Sequence, residues 1–320
     1  VKQSRADLLI LLVTLCWGSS YLFMKMGLGS LSEYNLIALR FGLAFILTGI
    51  LFFNHLRRID WTTLGYSALI GLALFAVFVF IMFGLKTTTT SNAGFLVSLT
   101  VIFVPLIHFI VFKKKLRMTQ TAGVLLAIVG IGLLTLSGPL GIHSGDLLCI
   151  LASICYAVYI LLTSAAAKIV RSTLNLGICQ LGFAGLYGLI FSFIFESPHL
   201  PYTLNGWIAV LALSVVCSAF GFIIQPVAQK YTTPTRTGLI FCMEPVFAAL
   251  FAFLFEHEVL SIQGYIGAGV VLLGVVISEW TWRPYWKTKK KHNIERLPQA
   301  IQQTDTHHPE LTKKEPVHLS

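Results

Sequence analysis

The chain has 320 residues, of which 56% are hydrophobic and only 11% are charged. Soluble domains carry roughly 25% charged residues, so this composition excludes an ordinary water-soluble globule. The formal net charge is +10, but its basic residues are dispersed among loops between apolar runs, which excludes a nucleic-acid-binding stripe.

Stretches of about 20 apolar residues cross a ~30 Å hydrocarbon core as helices, and ten such runs follow one another along this chain. The first, 8–27, follows Lys2 and Arg5 and carries Trp17, Tyr21 and Lys25. It is too long for a signal-peptide core and lacks an Ala-x-Ala site, so it reads as the first span. The second, 36–53, carries Arg40, and the third is 62–84. The fourth, 91–112, opens at Asn92 and contains Pro105 and His108; the fifth, 120–137, contains Gly123 and Gly130. A joint bearing Gly and Pro, 138–145, leads to the sixth run, 146–163.

The seventh run, 175–195, carries Gln180 and the small residues Ala184, Gly188 and Ser192. The eighth, 206–228, contains Gln225 and Pro226; the ninth, 236–255, contains Glu244 and Pro245; the tenth is 262–282. Residues 283–320 turn polar after Lys287, Lys289, Lys290 and Lys291. That composition predicts a disordered tail whose basic start suits anionic lipid or simply anchors orientation. Unbroken apolar runs are helical spans rather than the alternating strands of a barrel. The expected fold is an all-α membrane protein with ten transmembrane helices.

Lys and Arg alternate along this map. One set of loops holds Lys2, Arg5, Arg57, Arg58, Lys113–Lys115, Arg117, Lys168, Arg171, Lys230 and the tail; the other holds only Lys86. Basic loops stay on the cytoplasmic side, so both termini are expected in the cytoplasm of a cell with this chain in its plasma membrane. All six cysteines fall within apolar runs, where buried thiols are expected rather than disulfides or a metal site.

The chain also repeats itself at an offset of 144 residues: Lys86, Thr88, Gly94, Phe103, Gly123 and Gly130 recur as Lys230, Thr232, Gly238, Phe247, Gly267 and Gly274. The loop inside the first copy is basic (Lys113–Lys115), and its counterpart is acidic (Glu256, Glu258). Five helices on each side of the joint place the copies in opposite orientation, which accounts for the exchange of charge. The domains are thus a first five-helix repeat, 8–137, the joint 138–145, a second repeat, 146–282, and the cytoplasmic tail 283–320. Inverted repeats around a midplane site are a transporter plan.

Several local motifs add to this. Trp17-Gly18-Ser19-Ser20-Tyr21 with Lys25, Asn35 to Phe41, and Tyr231 to Pro234 followed by Glu244-Pro245-Val246-Phe247 and Glu256-His257-Glu258-Val259-Leu260 resemble the drug/metabolite transporter superfamily, specifically its ten-helix EamA-type exporters. The likeness covers about residues 8–282. It implies two EamA repeats, a central cavity and export of small metabolites such as amino acids, amines or drug-like solutes. One departure is Lys113-Lys114-Lys115, where the family often has a Gly-Glu-Arg turn.

Glu244 is the one acid deep in a span. An ionised group at the bilayer centre costs roughly 2.5–3.5 kcal/mol on insertion scales and faces the bundle interior or a water path. Its sharper reading is a proton-coupling or cation-binding carboxylate; its plainer reading is an acceptor bracing the backbone beside Pro245. Lys25 and Arg40 read either as snorkelling side chains near the outer ends of their helices or as a paired anion site. Asn92 and the equivalent Thr235/Arg236 read as helix caps that double as gates. Gln225, Gln180 and His108 read first as interhelical hydrogen-bond formers. Trp17 and Tyr21 read as cavity lining or core packing, and Pro105, Pro226 and Pro245 as helix bends.

Enzyme chemistry finds no support: no His-Glu-x-x-His, no Gly-x-Ser-x-Gly and no Walker loop occurs, and no catalytic, metal or cofactor set emerges. The sequence therefore reads as a secondary-active exporter of small metabolites working by alternating access. Alternatives are an uptake permease or exchanger for anionic solutes on the same fold, or a non-transporting membrane sensor. The expected partners are a small-molecule substrate, the lipid bilayer and a coupled proton.

Overall fold

The computed structural model describes residues 3–57, 59–112, 118–135, 143–167, 169–222, 224, 228, 240–241 and 243–279. All regular structure among them is helical. In chain order the helices are α1 Gln3–Leu28, α2 Glu33–Leu51, the short α3 Phe53–Leu56, α4 Trp61–Leu85, α5 Thr90–Val97 and α6 Thr100–Phe112. They continue as α7 Met118–Thr135, α8 Ser144–Ala166, α9 Thr173–Phe195, α10 Leu204–Leu211, α11 Glu244–Glu256 and α12 Ile262–Glu279. Among the described residues, five apolar helical stretches are long enough to cross a membrane: Ser4–Leu28, Glu33–Leu51, Trp61–Leu85, Ser144–Thr163 and Thr173–Phe195. Shorter apolar helices cover Thr90–Val104, Met118–Leu133, Leu204–Phe220 and Ile262–Ile277.

Polar residues at the ends of the apolar runs start the helices. Asp60, Thr89, Ser172 and Thr203 each accept a hydrogen bond from the backbone N–H three residues on, at 3.1–3.2 Å. Each such cap contributes about 1 kcal/mol. At α5 this corrects the sequence reading: Thr89 is the cap, and Asn92 supplies the N–H that is capped.

Two runs expected to be single regular helices are not. Residues 91–112 divide at Ser98–Leu99, where the Leu99 N–H bonds to Leu96 at 3.3 Å in a turn of 3-10 type. The eighth run passes from α10 into a π-helical stretch, Ala212–Phe220. Such departures inside helices are frequent at functional sites. Pro105 lies within α6, beyond the division rather than at it.

Small residues set the helix contacts, since no hydrophobic effect draws helices together in lipid. α7 and α12 pack along their lengths, and their glycines cross reciprocally. A Cβ on Gly130 would lie 2.9 Å from the Gly267 carbonyl oxygen, and one on Gly274 would lie 2.8 Å from that of Gly123. The repeat equates Gly123 with Gly267 and Gly130 with Gly274, so the two contacts are equivalent under the repeat. Gly188 brings α9 against the backbone of Ala38 in α2. Gly18 does the same for α1 and α11, where an added Cβ would lie 2.5 Å from Phe247 Cβ.

Candidate functional site

α1, α2, α4, α5, α8 and α11 converge on a cavity lined by both copies of the repeat. Its interior leaves about 30 Å³ for the centres of water-sized molecules. One water needs roughly 10–15 Å³, so in this conformation the cavity leaves room for only a few waters. Trp17, Tyr21 and Met24 come from α1, Arg40 from α2, Leu74, Phe78 and Ile81 from α4, Tyr156 from α8 and Glu244 from α11. A wider hollow of about 340 Å³ lies open at one end of the bundle, beside Glu33, Lys86 and His199. It is larger, but its two charges face each other: Lys86 Nζ lies 2.5 Å from Glu33 Oε1, a contact without hydrogen-bond alignment.

The charged groups of the narrow cavity are Arg40 and Glu244. Arg40 is 2% exposed. Its Nε donates to Ser218 Oγ at 3.0 Å, and its guanidinium carbon lies 4.2 Å from the Phe78 ring centre. Arg40 therefore turns inward instead of snorkelling, because Phe78 and the π-helical stretch offer it a cation–π face and a hydroxyl. Its Nη1 is buried without a hydrogen-bond partner. Glu244 Oε1 accepts from the Tyr21 hydroxyl at 3.4 Å. Glu244 opens α11 with Pro245 behind it; a proline in the first turn costs no hydrogen bond, and a carboxylate there meets the positive end of the helix dipole.

Trp17 anchors the wall. Its indole N–H donates at 2.9 Å to the Cys217 carbonyl inside the π-helical stretch, and its ring stands 5.4 Å from that of Phe241. A Cβ on Gly221 would reach 2.5 Å from that indole nitrogen, so the glycine makes room for the tryptophan.

Above the cavity, five carboxylates hold one end of the bundle together. Lys25 pairs with Glu256 at 3.0 Å, and Thr90 donates to the same oxygen at 2.7 Å. The Ser91 N–H points at Glu258 Oε1 at 3.3 Å. His257 takes φ 54°, the left-handed turn that places these two acids side by side at the start of α5. Glu196 accepts from the Tyr34 and Asn35 N–H groups at 3.0 and 2.9 Å, Thr88 donates to Asp146, and Glu33 faces Lys86.

Of the residues singled out in the sequence, Trp17, Tyr21, Arg40 and Glu244 come together at the cavity. Lys25 stands apart from Arg40, in its pair with Glu256. Asn92 lies near the start of α5, its Oδ1 buried without a partner. Gln225, Pro226, Lys230, Arg236, Lys113–Lys115, the joint 138–142 and the tail 283–320 lie outside the described residues. Sequence reasoning missed Tyr156 and Phe78. Tyr156 left a signal, since a phenol within an apolar run needs a polar neighbour; Phe78 left none among so many phenylalanines.

The EamA-like transporter family matches this chain twice, over residues 4–136 and 143–280. An uncharacterized transporter of Archaeoglobus fulgidus is 31% identical over 87% of this chain and 86% of its own length. A second from that organism is 29% identical over 86% and 98%, and the uncharacterized transporter YyaM of Bacillus subtilis is 25% identical over 92% and 100%. A solved crystal structure is similar with a TM-score of 0.63 over 87% of this chain and 97% of its own, at 19% identity, a likeness of fold alone. This chain is a multi-pass membrane protein that belongs to the EamA-like transporter family.

Proposed function

We propose that this chain is a secondary-active exporter of small metabolites, with ten spans arranged as two inverted five-helix halves in the plasma membrane and both termini in the cytoplasm. The observation that carries this reading is the Arg40–Glu244 cavity, narrow, aromatic-walled and lined by both repeats. Alternating access needs a site that each half can uncover in turn. The division at Ser98–Leu99 and the turn at Met243, before Glu244, supply bending points beside it. The carboxylate-bound end is the outer end on the positive-inside pattern, so its ion pairs and hydrogen bonds serve as the outer gate. Glu244 acts as the proton-coupling group, with the Tyr21 hydroxyl as its neighbour.

Reconstituted vesicles test the proposal. A pool of metabolites is loaded, a proton gradient is imposed, and loss of each solute is followed. Flux that follows the gradient in wild type and no longer does so in Glu244→Gln supports it; no flux of any solute points to a sensor instead. The buried guanidinium of Arg40 favours a second reading, an exchanger or uptake permease for anionic solutes, which the same vesicles separate by the direction of flux.

A further inference from the structure

We propose that Arg40 is the seat of a substrate carboxylate, and that the transported solute is a monocarboxylate with an apolar body. This inference rests on the transport reading above and names the chemistry of its site. A guanidinium stays charged and carries five N–H donors in a planar fork. In this cavity Nε is used by Ser218, while Nη1 is buried and unpartnered. Among the described residues the ion pairs are Lys25–Glu256 and Lys86–Glu33, so Glu244 does not close onto Arg40 although both line the cavity. A buried donor without a partner is costly, and more so when it is charged. Helix packing that keeps the group in this state keeps a binding site for an anion that arrives later.

The walls narrow the class of anion. The cavity has one cation against one carboxyl group, too little positive charge for a phosphate dianion. Trp17, Phe78 and Tyr156 supply aromatic lining, and Met24 and Ile81 supply aliphatic lining, which suits an aromatic or branched body. Glu244 with Tyr21 stands where an ammonium group could also be received. The shared requirement is the carboxylate, and the amine separates a plain acid from a zwitterion.

The test is calorimetric binding to the full chain in nanodiscs, with 3-phenylpropanoate, phenylalanine, phenethylamine and phenyl phosphate as probes. The two carboxylates, or one of them, are expected to bind more tightly than the amine and the phosphate. Binding of 3-phenylpropanoate alone identifies a plain acid, and preference for phenylalanine identifies a zwitterion. Arg40→Lys keeps the charge but loses the fork, and should weaken carboxylate binding on the order of tenfold. Should Arg40→Lys fold poorly in a melting control, Arg40→Gln, which keeps a polar side chain but removes the charge and the fork, should weaken the same binding by roughly tenfold or more. The proposal is overturned if neither carboxylate binds, if phenethylamine or phenyl phosphate binds as well as either, or if carboxylate affinity is unchanged in a folded variant. Flux of an amine from the vesicle pool alongside absent carboxylate binding would overturn the carboxylate seat while leaving the transport reading standing.

Discussion

Thr100 and Glu244, 144 positions apart, occupy the same place in the backbone: each is the first residue of a helix that resumes after a tight turn. The Leu99 N–H reaches Leu96 at 3.3 Å and the Met243 N–H reaches Ile240 at 3.0 Å; one turn on, Phe103 bonds to Leu99 and Phe247 to Met243, both at 2.9 Å. The side chains diverge. The Thr100 hydroxyl donates to the Val97 and Ser153 carbonyls at 2.7 and 3.1 Å, whereas Glu244 lines the cavity and accepts from the Tyr21 hydroxyl.

From this asymmetry, Glu244→Gln should keep the fold and remove the dependence of flux on the proton gradient, while Thr100→Val should leave that dependence in place. Flux against an imposed gradient in vesicles checks both. An unaltered proton dependence in Glu244→Gln would rule out coupling through this residue.

The proposed outer gate should loosen when its acids are neutralised. With Glu256→Gln and Glu258→Gln together, Lys25, Thr90 and the Ser91 N–H lose their carboxylate partners. A cysteine placed at Ile81, in a background without the native thiols, should then react several-fold faster with an impermeant reagent added outside. Equal labelling rates in the two proteins would count against a gate at these residues.

Gly18 lets α1 pack tightly on the helix bearing Glu244. Gly18→Ala puts a Cβ 2.5 Å from Phe247 Cβ and 2.9 Å from the Glu244 carbonyl oxygen, so α11 must shift. Overpacking of this kind costs about 1–3 kcal/mol. A lower melting temperature and reduced flux are the expected outcome, and Gly42→Ala, with open space around its Cβ, is the control that should change neither.

Trp17→Phe keeps an aromatic ring near Phe222 and Phe241 but removes the donor to the Cys217 carbonyl. Losing one such hydrogen bond costs about 1 kcal/mol, read as a small drop in melting temperature. A variant as stable as wild type would show that the carbonyl needs no partner there.

Asp60 gives a pH dependence outside the membrane-spanning segments. Hydrogen bonds from the Thr63 hydroxyl and N–H hold its carboxyl below the usual aspartate range, with a smaller effect from the charge of Arg171. A carboxyl with a depressed folded value stabilises the fold above its unfolded value, and that contribution fades as pH falls through the folded one. Melting curves of wild type should therefore fall more steeply on acidification than those of Asp60→Asn. Parallel curves would show that this cap does not titrate with folding.

Helical structure, the position of most apolar runs and the repeat were all legible in the sequence, because each rests on a local or periodic signal: run length, loop charge, and identities at a constant offset. Glu244 was legible for the same reason, as an acid in an apolar run. Arg40 was read too near the surface, since its place in the second turn of α2 says nothing about which way the side chain turns. The divisions at Ser98–Leu99 and before Glu244 carry no helix-breaking residue at the first site, so propensity could not mark them.

By itself, then, the sequence determined an all-helical membrane chain with a duplicated scaffold and unequal chemistry in its two copies. Only the tertiary structure decided that Trp17, Tyr21, Arg40, Tyr156 and Glu244 share one cavity and that Lys25 pairs instead with Glu256. The reason is physical: hydropathy and charge pattern report how each residue meets lipid or water, whereas partners hundreds of positions apart are chosen by helix rotation and by the glycines that let helices approach.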